Sequence, residues 1–247
     1  MKIKDIKTTG LATAMLFLCA LGLQAQNDIP IINPTIVYTD KDGAEVEATE
    51  YSGEAPFKAR FEARADNTFG WTTYYEWHFT KEGEGEAKSE PYLIRYEEDT
   101  EVNFSEAGSH KVELYAIFTQ GNDSVCYTEE YWSENTPLTV TISESKLDMP
   151  NAFSPNNDGL NDVYKAKSYQ SLVEFHAAIY NRWGQKLYEW DNPAEGWDGT
   201  YNGKDVKDGV YFVNVSAKGS DGRKYNIRRD VNLLRGYTET GNSNPSE

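Results

Sequence analysis

The segment 154–162 reads Ser-Pro-Asn-Asn-Asp-Gly-Leu-Asn-Asp, and the side-chain oxygens of Asn156, Asn157, Asp158, Asn161 and Asp162 suit a hard cation, with Gly159 to turn the chain. Calcium takes roughly six to eight oxygen ligands on a flexible loop. Two positions depart from that pattern: Ser154 stands where a calcium loop carries its first aspartate, and Lys165 where it carries its last glutamate. Asn156, Asp158 and Asp162 are therefore weak calcium candidates, and no firm metal site or other cofactor is expected. The competing reading is that Asn and Asp side chains accept hydrogen bonds from nearby backbone amides and fix a sharp turn.

Catalytic groupings are sparse. His78, His110 and His176 are the only histidines, and none has the spacing of a metal-binding pair. Ser124 and Cys126 lack a nucleophile turn. Carboxylates are so numerous that no acid and base pair can be singled out, and the chain is not expected to be an enzyme. Trp71, Tyr74, Tyr131 and Trp132 fit strand alternation less well than their neighbours. Exposed rings of this kind stack on sugars through their flat apolar faces, so an extracellular glycan or protein is a candidate ligand. Trp77, on an alternating run with Tyr75 and Phe79, is expected in a core.

The elements that must position these residues are strands. In Phe57-Lys58-Ala59-Arg60-Phe61-Glu62-Ala63 every odd position can face a core while the even ones face water. The same alternation recurs in 75–79, 112–116 and 138–142, and again in 173–179, 186–190, 210–217 and 225–234. Asn202-Gly203, Asp208-Gly209 and Asp221-Gly222 punctuate the second set with pairs that tolerate tight hairpin turns. The polar stretch 143–150, closed by Pro150, suits an interdomain linker. This pattern predicts an all-β protein of two immunoglobulin-like antiparallel β-sandwiches in tandem.

Residues 1–25 read as a cleaved signal peptide, with Lys2, Lys4 and Lys7 ahead of an apolar run from Leu11 to Leu23 and the small Ala25 at its end. The run is shorter than the ~20 apolar residues of a membrane-spanning helix. Cys19 falls inside it, which leaves Cys126 alone and excludes an intrachain disulfide in the processed protein. The net charge of −16 argues against nucleic acid, a polyanion bound through Lys and Arg.

Four blocks carry a family resemblance: Pro150-Asn151-Ala152-Phe153-Ser154-Pro155-Asn156-Asn157-Asp158-Gly159-Leu160-Asn161-Asp162, Ile179-Tyr180-Asn181-Arg182-Trp183-Gly184, Gly196-Trp197-Asp198-Gly199-Thr200, and Gly209-Val210-Tyr211-Phe212. In this order and spacing they resemble the gliding-motility-associated C-terminal domain, the type B sorting domain of the bacterial type IX secretion system. The resemblance implies a sorting signature at Asn156, Asp158, Gly159, Asn161, Asp162, Asn181, Arg182, Trp183, Gly184, Trp197, Asp198, Gly199, Gly209 and Tyr211. It also implies passage through the periplasm, recognition by the secretion apparatus and an outer-membrane partner protein, and a final place outside the cell or on its surface. Trp183 and Trp197 are expected in the core, because tryptophans bury large areas and the domain is small.

The earlier half resembles a PKD-like domain through Gly53-Glu54-Ala55-Pro56, Tyr75-Glu76-Trp77-His78-Phe79 and Phe104-Ser105-Glu106-Ala107-Gly108-Ser109-His110-Lys111-Val112. His78 replaces the family's aspartate, and Thr80-Lys81-Glu82-Gly83-Glu84 its Gly-Asp-Gly turn. The expected organisation is signal peptide 1–25, linker 26–36, PKD-like sandwich 37–146, sorting domain 147–235 and polar tail 236–247. The PKD-like unit would serve as a spacer or adhesion module, or alternatively as a glycan- or protein-binding module.

Overall fold

The structure is a computed structural model that describes residues 29–83 and 90–236. The expected signal peptide 1–25, residues 26–28 and the expected tail from 237 onward lie outside the described residues. Among the described residues the fold is all-β but for one short helix, and the chain divides into two compact units, one mainly of residues up to 141 and one mainly of residues from 142 onward.

The first unit contains β1 (Thr35–Thr39), β2 (Glu45–Ala48), β3 (Glu50–Gly53), β4 (Phe57–Glu62), β5 (Thr72–Lys81), β6 (Leu93–Arg95), β7 (Thr100–Phe104), β8 (Gly108–Gln120), β9 (Asp123–Tyr127), α1 (Glu129–Glu134) and β10 (Leu138–Ile142). One sheet runs β2-β1-β4-β7 and the other β3-β10-β8-β5-β6, with β9 also on β8. The alternation dictates the packing. Phe57, Ala59 and Phe61 of β4 turn inward, as do Tyr75, Trp77 and Phe79 of β5. Phe61 meets Trp77 and Phe79 across the gap, with ring centroids 5.8 and 5.1 Å apart. Trp77 is fully buried, and its indole N–H donates to the Glu98 carbonyl at 3.0 Å.

The unit begins earlier than the expected boundary at residue 37. Ile32 and Ile36 are core residues, β1 opens at Thr35, and the Tyr127 hydroxyl donates to the Pro30 carbonyl at 2.9 Å. Apolar residues at alternate positions in 29–36 bury themselves, so this stretch is not a linker.

The second unit contains β11 (Lys146–Asp148), β12 (Ala152–Phe153), β13 (Ser168–Gln170), β14 (Leu172–Tyr180), β15 (Lys186–Trp190), β16 (Thr200–Tyr201), β17 (Lys204–Asp205), β18 (Gly209–Gly219) and β19 (Lys224–Leu233). A five-stranded sheet runs β12-β19-β18-β14-β15, and β11-β13 and β16-β17 form two small ribbons. All its pairings are antiparallel except β12 with β19. The inward face of the sheet, including Ile179, Val213, Val215 and Leu233, is covered by Met149, Tyr164 and Trp197 from the long connections.

Two local expectations change. The stretch 143–150 is an integral part of this unit, because Lys146–Asp148 pairs with β13 and the Ser145 hydroxyl bonds both Asp221 at 2.7 Å and Tyr225 at 2.9 Å. Asn202-Gly203 does make the β16–β17 turn, with φ of 52° and 72°. Asp208-Gly209 makes no hairpin, since Gly209 opens β18 opposite Leu233.

Candidate functional site

The register of the five-stranded sheet brings distant segments to one end. Tyr180 at the close of β14 lies opposite Phe212, Gly209 opposite Leu233, and Phe153 of β12 pairs with the same Leu233. The loop 154–162, the hairpin tip 181–185, Gly209 and Arg235 therefore all lie at that end. The Trp197 turn joins them, its ring 5.4 Å from Phe153 and 5.0 Å from Tyr211.

Asp162 organises the first loop. Its Oδ1 accepts the backbone N–H groups of Asn156 at 3.0 Å and Asn157 at 2.7 Å, and its Oδ2 accepts that of Gly159 at 2.8 Å. Asn156 Oδ1 accepts the N–H of Asp158, and Asp158 Oδ1 that of Leu160. Asn157 and Asn161 adopt φ of 61° and 54°, in the left-handed region that asparagine tolerates. The side-chain oxygens of Asn156, Asp158 and Asp162 thus face amides of their own loop, the arrangement of a hydrogen-bonded turn. Among the described residues, no group of three or more His, Cys, Asp or Glu is gathered as a metal centre.

Asn181 organises the hairpin tip in the same manner. Its Oδ1 accepts the N–H groups of Trp183 at 2.9 Å and Gln185 at 3.0 Å, and its carbonyl accepts that of Gly184 at 3.0 Å. Gly184 takes φ of 76°, which favours glycine. Arg182 and Trp183 project from this fixed tip into solvent, and Trp183 is 84% exposed. The expectation that Trp183 belongs to the core is therefore corrected. A tight tip spans too few residues to fold a large indole back onto the sheet.

Trp197 is the opposite case, with 0% of its surface exposed. Its backbone exchanges hydrogen bonds with Tyr164 at 2.8 and 3.0 Å, and its indole N–H donates to the Thr200 carbonyl at 2.7 Å. Asp198 Oδ1 accepts both the N–H and the hydroxyl of Thr200. Tyr211 closes over the ring, and burial pushes its hydroxyl above the ordinary tyrosine range while that hydroxyl donates to the Lys207 carbonyl at 2.7 Å. Burial likewise raises Tyr164.

Three contributors lie outside the expected signature residues. A Cβ on Gly196 would collide with the Tyr164 carbonyl. Tyr164 itself sits outside any strand, yet is fully buried. Arg235 donates from Nη2 to the Gly199 carbonyl at 2.7 Å, pairs with Asp205 at 3.3 Å, and donates from its backbone N–H to Asp208 at 3.0 Å. Each depends on a partner far away in sequence.

The aromatic candidates of the first unit do not form a strip. Tyr74 faces solvent on β5, Trp71 is half-buried before that strand, and Tyr131 packs edge-on against Tyr127 and Trp132. Trp132 is only 7% exposed, and its indole N–H donates to the Leu114 carbonyl at 2.9 Å. That corrects the exposed reading of Trp132: α1 turns this indole onto β8.

Residues 147–228 match the family model of the CHU_C type IX secretion signal domain. The second unit carries a type IX secretion signal domain. The matched span contains the 154–162 loop, the Trp183 tip, the Trp197 turn and the start of β18, whereas Arg235 lies beyond it. No curated protein matches the chain at a significant level. Two solved structures resemble it at 15% and 14% identity, each with a TM-score of 0.24. One is the Bacteroides ovatus mixed-linkage glucan utilization locus SGBP-B in complex with a mixed-linkage heptasaccharide, for which the match covers 84% of this chain and 48% of that one. The other is the tetra-tandem repeat in the extending region of a large adhesion protein, with 85% and 68% covered. The chain spans about half the length of the first.

Proposed function

We propose that this chain is a non-catalytic protein delivered to the cell surface or the medium, and that the Trp183 end of its signal domain is the face read by the type IX apparatus. The observation that carries the reading is the division between the two signature tryptophans. Trp197 is consumed in holding the end together, while Trp183 is presented to solvent on a tip fixed by Asn181. An exposed, rigid aromatic beside an arginine is the composition of a protein-binding hot spot.

In this reading residues 1–25 direct export to the periplasm, the signal domain then engages the secretion apparatus and an outer-membrane partner protein, and the first unit travels as a PKD-like spacer or adhesion module. It needs no cofactor. The test is surface labelling of intact cells expressing the parent, Trp183→Ala or Asn181→Ala. Periplasmic retention of a Trp183→Ala protein that melts like the parent is the expected result. Equal labelling of both proteins would remove Trp183 from recognition.

A further inference from the structure

A cluster of side chains on the outward face of the six-stranded sheet of the first unit has no part in the sorting site. β5 sends Tyr75, Trp77 and Phe79 into the core, so Tyr74, Glu76 and His78 face out. The antiparallel register sets Tyr115 directly opposite Glu76, Ile117 opposite Tyr74 and Glu113 opposite His78. On the other flank Ile94 pairs with His78, and Tyr96 follows at the end of β6.

These groups are held in place. Glu76 accepts a hydrogen bond from the Tyr74 hydroxyl on Oε2 at 3.0 Å, and its Oε1 lies 2.6 Å from His78 Nε2. The His78 ring lies 4.2 Å from that of Tyr115, and the rings of Tyr74 and Tyr96 are 6.4 Å apart. Tyr74 and Tyr96 are 46% and 62% exposed. Tyr74 and Tyr115 occupy diagonal sheet positions, ~7–8 Å apart by ordinary strand geometry. The result is a band of rings crossing three strands around one fixed carboxylate.

The charges narrow the ligand. Glu76 is partnered by His78, and Glu113 by Lys111 at 3.1 Å, so the carboxylates that β5 and β8 place beside the band already hold a partner. Lys111 and His78 are engaged in turn, and the chain as a whole is strongly acidic, which disfavours a polyanion. An ionised carboxylate has about four lone-pair sites. Two are filled within the protein, which leaves acceptors for hydroxyl groups. Ring faces for apolar C–H surface, beside acceptors for hydroxyls, match a sugar ring.

We propose that this face binds a neutral polysaccharide, its sugar rings lying across Tyr96, Tyr74 and Tyr115 and its hydroxyls on Glu76. The proposal is independent of the sorting reading, because it concerns the other unit and a different ligand class.

Native gel electrophoresis of the full chain through gels containing laminarin, mannan, arabinoxylan or xyloglucan tests it, with polygalacturonate as the anionic comparison. At least one neutral polysaccharide is expected to retard the protein. The double variant Tyr74→Ala with Tyr96→Ala, both at exposed positions, is expected to bind at least tenfold more weakly with an unchanged melting midpoint. Tyr169→Ala, at an exposed ring in the other unit, is expected to bind like the parent. Absence of retardation by every neutral polysaccharide overturns the proposal and leaves a protein as the occupant of the face. Equal retardation of the double variant overturns it as well.

Discussion

Two tryptophans of the same signature have opposite fates, and substitution separates them. Trp197→Ala removes a fully buried ring that touches Phe153 and Tyr211, together with its hydrogen bond to Thr200. A loss of about 3–5 kcal/mol is expected, whereas Trp183→Ala, at an exposed tip, should stay within ~0.5 kcal/mol. Urea unfolding of both variants followed by near-ultraviolet circular dichroism checks the contrast. At Asp162 the carboxylate bonds three backbone amides, so Asp162→Ala is expected to cost roughly 1–2 kcal/mol. Because those oxygens already have donors, thermal melts of the parent in chelator and in millimolar calcium should superimpose. A calcium-dependent rise abolished by Asp158→Ala would overturn that reading of the loop.

Among the elements, the clamp between residues 143–145 and the β18–β19 turn has a pH signature. Ser145 donates to Asp221, and this hydrogen bond, with the Arg223 backbone N–H as a further donor, holds the Asp221 carboxyl below its ordinary value of 3.8. A carboxyl lowered by folding contributes stability at pH above its unfolded value and loses that contribution as pH falls through the folded one. Asp221→Asn should therefore lower the urea midpoint at pH 7, and the difference from the parent should shrink as the pH is taken below 3.8. Equal differences at pH 7 and at low pH would show that the charge of Asp221 has no part in the clamp. The Trp197 turn is constrained more severely, because a Cβ on Gly196 would overlap the Tyr164 carbonyl. Gly196→Ala is expected to break the Tyr164–Trp197 bridge and yield little folded protein, read as loss of soluble expression.

At the scale of the whole molecule, the unit boundary decides how a truncation behaves. Ser143 and Ser145 are bonded within the second unit, to Ser171 and to Asp221 and Tyr225, so the division falls before residue 143. A chain ending at Ile142 keeps β10 and lacks the whole signal domain. It is expected to remain in the periplasm, while a reporter carrying residues 1–25 at its N-terminus and residues 143–247 at its C-terminus should reach the surface. Protease accessibility in intact cells measures both. Surface exposure of the truncated chain would sink the sorting reading.

What is local and periodic is legible in the amino-acid sequence. Alternation in 57–63 and 75–79 marks which side chains enter a core, and Asn202-Gly203 specifies a turn through two residues that accept positive φ. The order and spacing of the four signature blocks were sufficient to identify the signal domain. Which of those signature residues are structural and which are presented depends on packing between segments remote in sequence. Trp183 and Trp197 follow similar local patterns, each beside a glycine, and differ because one caps a two-strand hairpin and the other is clasped by Tyr164, the chain having folded to bring both Phe153 and Tyr211 against it. Trp132 looked exposed because its helix is too short to show a period, and its burial depends on the Leu114 carbonyl that only the finished sheet brings beside its indole N–H. Burial depends on partners remote in sequence, and local spacing carries no record of them.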